Sequence, residues 1–221
     1  MTARKPTAKK KDDAALKADV LDAALKHAPF DGFTDSVLER AGKDAGVAKG
    51  ELERLFPGGP LSLVEAFSDS ADDAMEVALA KKKLAAMKIR DRIKTAVWAR
   101  IEPLRAHKEA ARRAGAFLTL PPHAATGMKL LYRTVDRMWR AVGDTSTDFN
   151  FYTKRAILAG VYSATLMRWF TDQSEGEAET HAFLDARIEN VMTFEKFKAD
   201  VKARTKDWPS LSDVLGRFSA R

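Results

Sequence analysis

The chain contains no cysteine, which excludes disulfides, thiolate metal sites and cysteine nucleophiles and is compatible with a reducing compartment. No run approaches the roughly 18 consecutive apolar residues that a membrane span needs, and the N-terminus lacks the apolar core of a signal peptide. Glycine and proline are scarce, at 12 and 8 of 221 residues, and no convincing period-two alternation is present, so strands are not expected. Chemistry-bearing motifs are missing as well: there is no HExxH, no Glu-x-x-His, no Gly-rich phosphate loop and no nucleophile elbow. The four histidines, His27, His107, His123 and His181, are scattered. Glu177 and His181 can share a helix face, but one such pair is more often a solvated contact than a metal site. The expectation is a protein that is not itself an enzyme and carries no metal or cofactor.

What is present is 45% hydrophobic and 31% charged sequence, an ordinary globular composition. A chain of this length buries roughly 70% of its unfolded surface, so it can enclose a sizeable core or a cavity. Charge is uneven. The net +7 concentrates in Arg4, Lys5, Lys9, Lys10 and Lys11, and in residues 196–221, which carry +4, while residues 12–195 sum to −2. A near-neutral body with basic ends suits contact with an anionic surface through the termini. A solvated tail explains the N-terminal run equally well.

From Ala14 onward the apolar spacing predicts helices only. The first spans about 14–28, ended by Pro29-Phe30-Asp31-Gly32, and Thr34 or Asp35 caps a second to about Ala41. A third covers 49–55, stopped by Pro57-Gly58-Gly59-Pro60. Ser62 can cap a helix into the mid 80s. Others follow at 88–107, bent at its end by Pro103, and then to Leu120. The cleanest stripe, Met128, Leu131, Val135, Met138 and Val142, marks a helix over 124–142. Thr147 or Asp148 can cap another to about Phe170, a loop covers Gln173–Glu177, and a long helix runs over 178–206. The implied organisation is a basic disordered tail (1–13), an N-terminal three-helix region (14–68), a helical body (69–206) and an amphipathic C-terminal helix (207–221).

Val20-Leu21-Asp22-Ala23-Ala24, Gly32-Phe33-Thr34, Ala45-Gly46-Val47-Ala48-Lys49-Gly50 and Leu55-Phe56-Pro57 resemble the helix-turn-helix of TetR-type repressors. Such a motif seats its second helix in the major groove. Residues 14–68 are nevertheless net −3, the would-be recognition helix carries Glu51 and Glu53, and Leu55 stands where an aromatic contact is usual. Acids there face the phosphates whose neutralisation supplies most of the affinity. The expectation is a degenerate helix-turn-helix and no nucleic-acid partner. The alternative is a TetR-type regulator that binds DNA and a hydrophobic effector.

Leu118-Thr119-Leu120-Pro121-Pro122-His123, Val135-Asp136-Arg137-Met138-Trp139 and the run from Gly143 through Asp148, Phe149, Asn150, Phe151 and Tyr152 to Ala159 closely resemble the Coq-nine family. The resemblance covers most of the chain from about residue 14. It implies an all-α, TetR-repressor-like helical bundle with an apolar cavity in its C-terminal part, pairing as a homodimer. It implies a non-catalytic accessory role in ubiquinone (coenzyme Q) biosynthesis: binding an isoprenoid lipid or quinone intermediate and presenting it to the di-iron demethoxyubiquinone hydroxylase. The implied hydroxylase patch maps onto Met138, Asp148, Phe151 and Tyr152, where the family more often carries Trp at the position of Phe151. An exposed cluster of this kind suits an interface hot spot; Phe151 and Tyr152 could equally fill the core, and Asp148 could simply cap a helix. Candidate cavity residues are Val97, Ile101, Leu131, Val135, Leu158, Tyr162 and Leu166, though for any one of them packed core is the commoner role.

Trp208, Leu211, Val214, Leu215 and Phe218 lie along one stripe after a basic segment, as in a helix that dips into an anionic membrane surface. The expected location is peripheral, on the cytoplasmic face of a bacterial inner membrane, or the matrix side if the protein is eukaryotic.

Overall fold

The computed structural model describes residues 12–147 and 149–204, with side chains at 149, 150 and 194–204 outside the description. Within it the chain is all-α, with no strand among the described residues. The described residues form the α-helices α1 (Asp13–Asp31), α2 (Asp35–Asp44), α3 (Lys49–Leu55), α4 (Pro60–Ala80), α5 (Ile89–Ile101), α6 (Lys108–Thr119), α7 (Ala124–Ala141), α8 (Phe149–Thr171) and α9 (Ala178–Arg204). No described helix is long and apolar enough to cross a membrane.

Local chemistry sets the boundaries. Asp12 caps α1 by accepting from the Ala15 N–H at 2.7 Å, and Thr34 caps α2 by accepting from Val37 N–H. Contrary to expectation, Pro29 does not end α1. It sits in the last turn, and the chain leaves the helix only at Gly32, whose φ of +71° suits glycine. Helix α4 begins at Pro60 rather than Ser62, because proline's missing N–H costs nothing in a first turn. It stops at Ala80, and the lysines 81–83 then sit where the helix C-terminus favours cations. The expected bend at Pro103 is a change of helix type: Glu102–His107 tightens into a 3-10 segment.

The N-terminal trio packs α1 on α2 and against α4 and α6. Phe33 is the link, buried between Phe67 of α4 and Phe117 of α6 at ring separations of 6.3 and 6.5 Å. In the body, α4, α5, α7 and α8 bury Met75, Val97, Ile101, Val135, Met138 and Trp169, while α9 covers α5 and α8.

Candidate functional site

Helices α4, α6, α7 and α8 do not close on one another. Between them lies a cavity of about 550 Å³, walled by Phe67, Leu104, Ala114, Leu130, Leu131, Leu166 and Phe170 among others. Small residues make the space: Ala111, Ala114 and Gly115 on α6 face Ser163 and Phe170 on α8. Gly127 lets α7 approach α6, since a Cβ there would lie 3.0 Å from the Leu118 carbonyl oxygen.

One end of this apolar space is polar. Arg100 is 4% exposed; its Nε donates to Asp72 Oδ1 at 2.5 Å and its Nη2 to the Ser68 carbonyl at 3.2 Å. The Thr134 hydroxyl donates to both oxygens of Asp72, which is wholly buried. Arg100, Ser68, Thr134 and the buried Tyr162 all contribute to the cavity wall. Burial pushes the Tyr162 phenol up from its ordinary value, so it stays protonated at neutral pH.

The seven expected cavity residues divide. Leu131, Tyr162 and Leu166 line this cavity. Leu158 lines a smaller one of about 220 Å³ between α5, α8 and α9, with Ile93, Trp139 and Ile188. Val97, Ile101 and Val135 line neither of these cavities and are core, each fully buried.

The turn from α7 to α8 is the second feature. Arg155 is almost fully buried and joins two carboxylates, Asp136 at 2.7 Å and Asp144 at 3.1 Å. Asp144 also accepts from Lys154 at 2.8 Å and from Ser146. Burial alone would raise the Asp144 carboxyl; the hydrogen bonds from Lys154, Ser146 and Arg155 outweigh it and hold it at about 2. The Trp139 indole donates to the Lys154 carbonyl, and Phe151 meets Tyr152 edge-on at 5.1 Å.

Around this knot the expected patch residues divide. Tyr152 is 65% exposed and Phe151 half-buried. Met138 is a correction: it is 0% exposed and belongs to the core, because its position on the α7 stripe points inward with Val135 and Val142. Asp148 and the stripe Trp208, Leu211, Val214, Leu215 and Phe218 lie outside the described residues. Glu177 and His181 do not pair: Glu177 accepts from the Trp169 indole and from Arg105, and His181 stacks on Trp98 at 3.7 Å. Sequence reasoning missed Arg100, Asp72, Thr134, Asp136, Asp144 and Arg155. The acids and bases among them carry no sequence mark that separates them from solvated charges.

In the helix-turn-helix region α3 presents Glu53 and half-exposed Glu51, with Arg54 held by Asp13 at 2.6 Å. Leu55 is buried and offers no contact to a groove.

The COQ9 family model matches residues 124–195, which span α7, the turn, all of α8 and most of α9. The chain is 29% identical over 195 residues to the ubiquinone biosynthesis protein COQ9, mitochondrial, of Drosophila melanogaster, covering 86% of this chain and 60% of that one. It is 30% identical over 190 residues to the protein of that name from Rattus norvegicus, covering 83% of this chain and 61% of that one. For the Schizosaccharomyces pombe protein the identity is 27% over 185 residues, with 84% and 73% covered. The chain thus spans about three-fifths of the length of the animal relatives it matches. A solved TetR transcriptional regulator from Nitrosomonas europaea ATCC 19718 superposes with a TM-score of 0.64 at 17% identity, covering 79% of this chain and 97% of that one. That likeness shows the TetR-like fold.

Proposed function

The chain belongs to the COQ9 family, and on that footing we propose that it serves ubiquinone biosynthesis as a non-catalytic, lipid-binding accessory protein. It binds an isoprenoid quinone intermediate and presents it to the di-iron demethoxyubiquinone hydroxylase at a membrane surface. The observation that carries this reading is the apolar cavity between α4, α6, α7 and α8. An isoprenoid tail is insoluble, and each methylene taken out of water contributes about 0.8 kcal/mol, so a protein that handles it needs such a shelter.

The hydroxylase contact falls to Tyr152 and Phe151, with Asp148 beside them in sequence. Exposed aromatic rings on a rigid turn suit a hot spot, and the Arg155 knot supplies the rigidity. The basic ends and the stripe from Trp208 to Phe218 supply the attraction to an anionic membrane face. Pairing as a homodimer belongs to the same proposal.

The test is native mass spectrometry with lipid extraction of the purified chain, beside a Gly115→Leu variant. A Cβ at Gly115 meets only the Phe170 ring, at an ordinary contact distance of 3.6 Å, and Gly115 lines the cavity, so the rest of a leucine side chain is expected to take up cavity space. A co-purifying prenyl lipid that is lost from the variant supports the reading. A lipid-free protein that instead retards promoter DNA in a salt-dependent way replaces it with the DNA-binding alternative.

A further inference from the structure

The polar end of the cavity has more donors than partners. Arg100 Nη1 has no hydrogen-bond partner and is shut away from solvent, although the same guanidinium uses its Nε and Nη2 fully. Tyr162, whose phenol feels the charges of both Arg100 and Asp72, makes no hydrogen bond among the described residues through its hydroxyl. An unmade hydrogen bond on a desolvated charged donor is costly, so such groups normally have partners. Both residues line the cavity.

We infer that Arg100 and Tyr162 recognise the polar head of the bound molecule, and that this head is uncharged and carries oxygen acceptors. The inference rests on the lipid-binding reading above and adds what sits at the head. Charge decides against an anion. Arg100 is already neutralised by Asp72, and the flanking Arg133 and Arg137 are engaged by Asp69, Asp73 and Glu76. A carboxylate or phosphate would bring an uncompensated negative charge into an apolar space. A ring carbonyl or ether oxygen would satisfy both donors without adding charge.

Position gives the head a sensible address. Tyr162 is the cavity-lining residue nearest the start of α8 and Thr134 the one nearest the end of α7, whereas Gly127 and Thr171 lie at the opposite limits of the lining stretches of those two helices. Tyr162 lies ten residues along α8 from Tyr152, about 15 Å at 1.5 Å per residue. A head at Arg100 therefore lies toward the exposed aromatic turn, with its tail running away from it.

The experiment uses the full chain and three probes with alkyl tails of ten, ten and nine carbons: a decyl-substituted dimethoxy-benzoquinone, decylbenzene and decanoate. Binding is followed by calorimetry and by quenching of tryptophan fluorescence. Tyr162→Phe conserves volume and leaves no buried charge. The paired variant Asp72→Asn/Arg100→Met removes both charges together, so neither is stranded if Arg100→Met alone fails to fold. The quinone should lose about tenfold in affinity in Tyr162→Phe and more in the paired variant. Decylbenzene should bind all three proteins alike, and decanoate should bind the wild type more weakly than the quinone. Decylbenzene bound normally with quinone affinity unchanged in both variants overturns head recognition while leaving the cavity reading intact. Decanoate bound more tightly than quinone, with loss in the paired variant, overturns the uncharged head. If no probe binds, the cavity reading fails and this inference with it.

Discussion

The guanidinium carbon of Arg155 lies 3.4 Å from the centroid of the Phe151 ring, while the same guanidinium bridges Asp136 and Asp144. A buried cation thus holds one face of Phe151 and leaves the neighbouring Tyr152 outside. The first consequence is for Tyr152→Ala. It should weaken binding of the purified hydroxylase by tenfold or more, as loss of an aromatic anchor does, roughly 2 kcal/mol. Stability in urea should change by no more than about 0.5 kcal/mol, since an exposed side chain is removed. Normal binding to the enzyme would remove Tyr152 from the interface.

Arg155→Met tests the knot itself. Breaking a buried ion pair by removing one partner costs about 3–5 kcal/mol. Here Asp144 keeps Lys154 and Asp136 keeps Arg140, so the loss should sit at the low end, about 3 kcal/mol. The urea midpoint reports it.

Acid should find the same place. The folded Asp144 carboxyl is held at about 2 against an ordinary 3.8. A lowered folded value means stability that is present above pH 3.8 and is lost as pH falls through about 2. Urea curves between those limits should show the decline, and Asp144→Asn should flatten part of it while lowering stability at neutral pH. The buried Asp172 behaves alike: burial opposes its charge, but hydrogen bonds from Ser174 and Thr180 hold it well below the usual range. The variant therefore removes only a share of the slope.

Met138→Ala separates core from interface. Truncating a fully buried Met leaves a cavity and should cost about 2–5 kcal/mol. Hydroxylase affinity, measured at a temperature where the variant is folded, should stay within twofold of the wild type (roughly 0.4 kcal/mol).

Removing residues from Asp207 onward should reduce capture of the protein on anionic liposomes in flotation, and more so at low salt. Unchanged flotation would withdraw the C-terminal segment from the membrane role.

How much of this was legible in the sequence depended on whether a signal repeats. Helix α3 falls at 49–55 as expected, and α7 ends one residue short of the expected 142, because flanking Pro and Gly breakers and, for α7, a strong stripe agree there. Single events were harder to read. Pro29 reads as a stop but is tolerated in a last turn, and Pro103 tightens a helix rather than bending it. The cavity could be anticipated only as a property of four helices. Leu131 and Val135 share one α7 stripe four residues apart, yet one lines the space and the other is sealed in core, a difference set by which neighbours are small. Arg100 and Arg155 were invisible for another reason: periodicity assigns a lone charge to solvent, and only tertiary placement shows that each is buried against an aspartate.

A bundle built around a space of about 550 Å³ forgoes part of the interdigitated packing that normally stops helices from sliding. Apolar walls resist such sliding weakly, because greasy contact is much the same one turn along. Asp72 on α4 is tied to Arg100 on α5 and to Thr134 on α7, and Arg155 on α8 is tied to Asp136 on α7. A slip of one helical turn, about 5.4 Å, would break every one of these ties. Three of the helices that wall the space, α4, α7 and α8, are thus braced to one another and to α5, like ribs fastened along one side of a hull.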